Sequence, residues 1–301
     1  MTKVALITGG SAGIGRATAR AFAGLGYRLA IASRTEDPLK QVAIDLEKQL
    51  NAEILAVPTD VTDPSQVQKL VDATLERYEA IDILVNNAGI CISGSFTSTT
   101  RADWEQVMNV NLWGYINTLQ AIVPPMLDRG SGQIINVGSF GGKMPLPEMV
   151  AYCTTKYAVT GLTESLRLEL EPKGISVIGV HPGVVKTDFL DRAIFTGDRA
   201  TPPSAEAHLE DVEAESVEPG SAAAPTSEEP RQPSGEQRQQ MEQTLNSFIA
   251  QTPEEIADAI VDASLAGKSD DIVVGLAQVA TSAYQFLPGP IAALLKNAAG
   301  R

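Results

Sequence analysis

Tyr152 and Lys156 stand four residues apart in the run Tyr-Cys-Thr-Thr-Lys. Positions i and i+4 share one helix face, so a phenol and an ammonium placed there sit side by side. A cation beside a phenol favours the phenolate and lowers a pKa that is otherwise ~10. At ~5 Å and an effective dielectric of ~20 the attraction is about 3 kcal/mol, or roughly two pKa units. Such a tyrosine can give and take a proton near neutral pH. Tyr157 also neighbours Lys156, but adjacent helix positions point apart, so Tyr152 is the better partner. Ser139 lies thirteen positions upstream of Tyr152, and Asn111 earlier still.

The elements that must position this pair begin at the start of the chain. Val4-Ala5-Leu6-Ile7 is a short apolar run that reads as a buried parallel strand. Thr8-Gly9-Gly10-Ser11-Ala12-Gly13-Ile14-Gly15 follows, and Arg16 to Leu25 reads as an alanine-rich helix. Glycines allow a tight turn and close approach to a pyrophosphate, and a helix N-terminus offers free N–H groups to phosphate oxygens. The spacing of Gly9, Gly13 and Gly15 differs from the Gly-x-Gly-x-x-Gly fingerprint. Its place between the first strand and first helix nonetheless points to dinucleotide binding.

The end of the second strand bears on which dinucleotide. Arg28-Leu29-Ala30-Ile31-Ala32 should be that strand, followed by Ser33-Arg34-Thr35. An acid here would hold the ribose hydroxyls of NAD, whereas an arginine accommodates a 2′-phosphate. Glu36 and Asp37 come only at the start of the next helix, so Ser33 and Arg34 favour NADP(H) over NAD(H).

The ordered set of motifs resembles the short-chain dehydrogenase/reductase family. Thr8 to Gly15, Asp60-Val61, Asn86-Asn87-Ala88-Gly89, Asn111, Ser139, Tyr152-x-x-x-Lys156, and Pro182-Gly183 with Thr187 carry the match over residues 3 to about 190. The resemblance implies that Tyr152 is the general acid for reduction and the general base for oxidation. It gives Lys156 the tuning of that phenol and a hold on the nicotinamide ribose. Ser139 would bond the substrate oxygen, and Asn111 would anchor a water linking Lys156 to solvent. Asp60 and Val61 would meet the adenine, Asn87 the ribose, and Pro182, Gly183 and Thr187 the nicotinamide. The implied chemistry is hydride transfer between nicotinamide and a carbonyl or alcohol carbon, with the protein supplying orientation and a proton. The family's enoyl reductases space tyrosine and lysine more widely, which favours carbonyl chemistry here.

Alternating strands and helices predict an α/β fold: one Rossmann-type, doubly wound parallel sheet with helices on both faces and ligands at the carboxyl ends of the strands. The sixth strand is Ser176 to Val180, and the Tyr152 helix should run from about Val150 to Glu171, ended by Pro172 and Gly174. Cys91 and Cys153 make neither a disulfide framework nor a metal-ligand spacing. His181 reads as a packed strand-end residue. The net charge of −14 argues against nucleic acid as a partner. A first strand at the fourth residue leaves no room for a signal peptide, and no apolar run is long enough to span a bilayer. The expected location is therefore the cytoplasm.

Residues 197 to 239 change character. Between 197 and 236, ten acids face only Arg199 and Arg231, among prolines, serines and glycines with few large apolar side chains. Such a segment cannot bury a core and reads as a disordered acidic insertion within a single domain formed by residues 1–196 and 240–301. Phe189, Leu190, Ile194 and Phe195 before it would form the family's substrate lid. Met241 to Ile249 would resume a helix. Pro253 starts a further helix, and Asp271 to Gly275 reads as a seventh strand. The apolar tail Val279 to Leu295 should pack on the body, dimerise or touch a membrane, in that order. Because the tail runs past the strand on which many relatives end, a homodimer is expected in place of the family's usual tetramer.

These readings describe an NADP(H)-dependent oxidoreductase for a carbonyl/alcohol pair. Phe96, Met144, Leu146 and Met149 suggest an apolar ketone or aldehyde as the small-molecule substrate. A dinucleotide-binding sensor or scaffold without turnover is the alternative. It would be expected to have lost Tyr152 or Lys156.

Overall fold

The computed structural model describes residues 2–185, 194–196, 251–267 and 269–299. Strands β1 (Val4–Thr8), β2 (Arg28–Ser33), β3 (Ile54–Pro58) and β4 (Ile83–Asn86) alternate with helices α1 (Gly13–Gly24), α2 (Glu36–Leu50) and α3 (Pro64–Tyr78). The short β5 (Ile92–Ser93) precedes α4 (Arg101–Met108), a π turn (Asn109–Trp113) and α5 (Gly114–Arg129). Then come β6 (Gly132–Val137), α6 (Val150–Leu170), β7 (Ile175–His181), β8 (Ile194–Phe195), α7 (Pro253–Ala266), β9 (Ile272–Val273), α8 (Ala277–Phe286) and α9 (Pro288–Ala299).

Seven strands form one parallel sheet in the order β3-β2-β1-β4-β6-β7-β9. The chain winds outward from β1 to β3, then returns to β4 and winds the other way. The crevice at the carboxyl ends of β1 and β4 is thus the topological switch point, where open α/β sheets take ligands. Alternate residues of each strand face opposite layers. Ala5, Ile7, Leu29 and Ile31 pack with Phe22 of α1, Leu39 of α2 and Ile256 and Ile260 of α7. Leu6, Ala30 and Leu84 pack on the other face with Leu70 of α3, Ile122 of α5 and Leu170 of α6. The doubly wound layering expected from the sequence is what the molecule has.

Three boundaries differ from the sequence reading. Helix α1 begins at Gly13, so Gly13 and Gly15 lie in its first turn and only Gly9 and Gly10 make the loop. The seventh main-sheet strand shrinks to Ile272–Val273, pairing with Val180 and His181. Just before it Asp271 turns its carboxylate to Lys143, Arg167 and His181, and just after it Gly275 has φ 69°. The apolar tail is two helices broken at Leu287-Pro288. Ala277 and Thr281 of α8 are buried, and Ala277 packs with Phe140 and Met144. The tail packs on the body in part, through Thr281 and the partly buried Ala280, Tyr284, Ile291 and Leu295, while Val279, Phe286 and Leu287 stay exposed. The acidic segment 197–239, Thr187, Phe189, Leu190 and Met241 to Ile249 lie outside the described residues.

Helix α7 starts at a reciprocal capping box: Thr252 Oγ1 accepts from the Glu255 amide, and the Glu255 carboxylate accepts from the Thr252 amide. Its Ile260 side chain is wholly buried among residues of the sheet layer that α1 also covers. Ile260→Ala should therefore lower stability by about 2–5 kcal/mol in urea unfolding. An unchanged midpoint would mean that α7 is not part of the core.

Candidate active site

The Tyr152–Lys156 pair lies on α6 as the spacing required, and both side chains are buried. The Lys156 Nζ donates to the Val137 carbonyl at 3.1 Å and sits 5.9 Å from the centroid of Tyr152 and 5.5 Å from that of Tyr115. The Tyr115 hydroxyl donates to the same carbonyl at 2.7 Å. Two residues beyond Val137, Ser139 extends from the end of β6, and its side chain hydrogen-bonds Tyr152. Ser139 Oγ also accepts from the Gly141 amide at 3.1 Å. That bond uses a lone pair on the oxygen and leaves its own proton available to a partner.

Asn111 is completely buried in the π turn, where the Gly114 amide reaches back to the Asn109 carbonyl. Isolated π turns inside helices recur at functional sites. Asn111 Oδ1 accepts from the Ile90 amide at 2.8 Å, and Nδ2 donates to the Ile90 carbonyl at 2.9 Å and to Thr155 Oγ1 at 3.1 Å. The carboxamide therefore ties the segment after β4 to the helix of Tyr152 and Lys156. A Cβ added at Gly89 would stand 3.3 Å from Asn111 Oδ1 and 3.8 Å from Lys156 Nζ. Three separate elements, the π turn, the end of β6 and α6, thus deliver Asn111, Ser139, Tyr152 and Lys156 to one place at the carboxyl end of the sheet.

Burial governs the titration of the pair. It pushes the Tyr152 phenol up, with Cys91 adding to the rise and the Ser139 hydrogen bond opposing it. It pushes Lys156 down to about 8. The lowered phenol expected from spacing alone is not what this arrangement gives. Spacing reports the nearby cation but not the loss of solvent, and here desolvation is the larger effect.

Next to this cluster lies a backbone cradle. Gly9 and Gly13 have positive φ, 69° and 51°. A Cβ at Gly15 would collide with the Gly9 carbonyl oxygen and stand 2.7 Å from Asn87 Nδ2. Ala12 gives α1 no side-chain cap, and no acid lies in the first helical turn. Bare N–H groups, a positive dipole end and close backbone access fit a dinucleotide pyrophosphate. Thr8 Oγ1 accepts from the amides of Asn87 and Ala88, and Asn87 Nδ2 donates to the Thr8 carbonyl, which joins the ends of β1 and β4. Sequence reasoning gave Thr8 no such bracing role.

At the end of β2, Arg34 is exposed and Ser33 Oγ donates to the Thr35 carbonyl. Glu36, the nearest acid, pairs with Lys40 at 2.5 Å. Asp60 accepts from the amide and hydroxyl of Thr62, and the Val61 carbonyl is held by Asn117 Nδ2 at 2.9 Å. Ser11 and Ile14 line the glycine turn and the start of α1. Pro182 is buried, and the Gly183 amide donates to Gln251 Oε1 at 3.2 Å. Gln251 had no sequence signal. It becomes visible only once the bridge Val185–Gln251 brings the chain back beside Gly183.

Of the four apolar residues singled out for a substrate, Leu146 and Met149 pack against Tyr152 and the two cysteines. Met144 is core, beneath Phe140 and Ala277, and Phe96 is 66% exposed with its ring edge toward Trp104. Cys91 and Cys153 are free and buried, and burial pushes both thiols up, so neither is a ready nucleophile. Among the described residues, no acid, histidine and cysteine group could hold a metal ion, and no helix is long and apolar enough to cross a membrane.

Comparison with known proteins agrees with this geometry. The short chain dehydrogenase family model matches residues 3–194. A curated relative, the 3-alpha-(or 20-beta)-hydroxysteroid dehydrogenase of Mycobacterium tuberculosis, is 37% identical over 189 residues, covering 63% of this chain and 71% of that protein. Among solved structures, a short chain dehydrogenase/reductase from Burkholderia phymatum in complex with NAD aligns with a TM-score of 0.73 at 30% identity, covering 93% of this chain and 91% of that one. Levodione reductase aligns with a TM-score of 0.73 at 26% identity, covering 94% and 98%. A buried tyrosine–lysine pair beside a glycine cradle, on this sheet and with these matches, makes the chain a member of the short-chain dehydrogenase/reductase family of oxidoreductases.

Proposed function

We propose that the protein reduces an apolar ketone or aldehyde with NADPH, and that Tyr152 supplies the proton to the carbonyl oxygen. The observation that carries this reading is the Ser139–Tyr152–Lys156 cluster itself: a hydroxyl bonded to a phenol, with an ammonium close to the phenol ring. The dinucleotide, when bound, supplies a hydride to the carbonyl carbon. Gly9, Ser11, Gly13, Ile14 and Gly15 would hold its phosphates, Asp60, Val61 and Asn87 its adenosine half, and Pro182, Gly183 and Thr187 its nicotinamide.

Ser139 donates to the substrate oxygen and fixes it beside the phenol. The Tyr152 O–H bond breaks as the proton passes to that oxygen, and the phenolate left behind is stabilised by the Lys156 ammonium. With a pKa of about 8, Lys156 is charged at neutral pH and can carry this role there. Asn111 keeps the chain after β4 against α6, so the two functional groups stay in register. Leu146 and Met149 at the phenol favour an apolar substrate. The hydroxysteroid named for the mycobacterial relative is of that class.

Arg34, exposed with the nearest acid engaged by Lys40, supports NADPH over NADH. Arg34→Ala should raise KM for NADPH about tenfold, the loss of roughly one charge-assisted hydrogen bond, and leave KM for NADH nearly unchanged. Equal effects on both would remove Arg34 from 2′-phosphate recognition. The assembly proposed is a homodimer, which light scattering of the purified protein measures directly.

The central test is NADPH oxidation across a panel of aldehydes, ketones and 3-oxoacyl thioesters. Tyr152→Phe should lower kcat by about 10²–10⁴-fold while NADPH still binds within about threefold of wild type. Full activity in that variant would overturn the assignment.

A further inference from the structure

His181 closes β7 immediately before Pro182-Gly183, and its ring is only 1% exposed. Nδ1 lies 3.4 Å from the backbone carbonyl oxygen of Ser139, and Nε2 lies 3.1 Å from Asp271 Oδ2. Two glycines make room for this ring. A Cβ at Gly138 would stand 2.5 Å from His181 Nδ1, and one at Gly179 would stand 2.5 Å from Asp271 Oδ1 and 2.9 Å from His181 Nε2. β7 and the residue that follows β6 thus both give up side chains where one imidazole and one carboxylate must fit.

Asp271 is itself fixed. Lys143 Nζ donates to Oδ2 at 2.6 Å, and the Arg167 guanidinium donates to Oδ1. Arg167 also holds the Val177 carbonyl of β7 at 2.8 Å, and Lys143 pairs with Glu164 of α6. Burial alone would raise the Asp271 carboxyl, but the hydrogen bonds from His181, Lys143 and Arg167 hold it far below the usual carboxylate range. A histidine braced this firmly is more than a filler at a strand end.

Its other ring nitrogen reaches the residue that bonds Tyr152. The backbone around Ser139 is stitched to the end of β7 on both sides, Gly138 amide to Val180 carbonyl at 2.7 Å and Phe140 amide to Pro182 carbonyl at 2.8 Å. The His181 contact lies between these two bonds. From this geometry we propose that His181, anchored by Asp271, is a positioning residue that holds the Ser139 backbone and so aims its hydroxyl at Tyr152 and the substrate oxygen. This rests on the carbonyl-reductase reading above. It also gives the chain after the acidic segment a part in the active site, through Asp271.

Two isosteric substitutions separate the contacts. An asparagine amide nitrogen stands where Nδ1 of histidine does, and a glutamine amide nitrogen where Nε2 does. His181→Asn should therefore keep the Ser139 contact and lose Asp271, while His181→Gln should do the reverse. On the substrate that wild type turns over, His181→Gln should lower kcat about ten- to a hundredfold, as a small misplacement of a catalytic group does, with KM for NADPH within about threefold. His181→Asn, which keeps the Ser139 contact but loses its Asp271 anchor, should lower kcat less, by about three- to tenfold, even where both variants lose similar thermal stability.

Full kcat in both variants would overturn the proposal, as would loss in both that tracks their melting temperatures. Loss in His181→Asn alone would assign the role to the Asp271 contact and overturn it equally. These outcomes are separate from failure of the functional reading, which would appear as wild-type protein without Tyr152-dependent turnover.

Discussion

The constraint on which this site depends is the burial of an ammonium. Lys156 is 5% exposed at the carboxyl end of a sheet whose interior is aliphatic. A charge taken from water needs compensation, and the Val137 carbonyl and the rings of Tyr115 and Tyr152 supply it. Those partners dictate much of what surrounds them. Tyr115 must hold its hydroxyl on the same carbonyl. β6 must end close by, which puts Ser139 at the phenol, and α6 must stay locked to the chain after β4 through Asn111. Burial drives Lys156 toward its neutral form and Tyr152 away from its ionised form. Any positive charge brought near shifts the balance toward the phenolate.

The second half of the site comes from beyond the acidic segment. Gln251 receives the Gly183 amide, Asp271 receives His181, and Ala277 of α8 packs on Phe140 and Met144 beside the Ser139 turn. A short last strand would contribute little as a strand. Its value lies in placing Asp271, whose three partners join α6, the turn after β6 and β7. The Pro182-Gly183 turn and Ser139 are therefore braced by residues remote in sequence from the family's motifs.

How much could be read from the sequence follows from which forces act locally. Strand–helix alternation, the extent of α6 and the joining of Tyr152 with Lys156 depend on apolar periodicity and helical spacing, and these were legible. So was the glycine cradle, since positive φ at Gly9 and Gly13 demands that residue type. The start of α1 inside the glycine run was not, because glycine carries no helix signal. The π turn at Asn111 left no mark either, since one extra residue per turn is a tertiary accommodation. The direction of the Tyr152 shift was misjudged because desolvation depends on everything packed around the ring. His181 read as a packed residue, which it is, but its two partners lie 42 and 90 positions away and only the fold brings them together.

The claim at the centre of this account is that the Tyr152 phenol is the group that exchanges the proton. Ultraviolet titration of phenolate absorbance, in the free protein and saturated with NADP⁺, tests it most directly, with Tyr152→Phe as the blank. The expected result is one phenol that ionises at a lower pH in the NADP⁺ complex than in the free protein, and that is missing from the variant. Titration curves that coincide with and without NADP⁺, or a shifted phenol that persists in Tyr152→Phe, would contradict it.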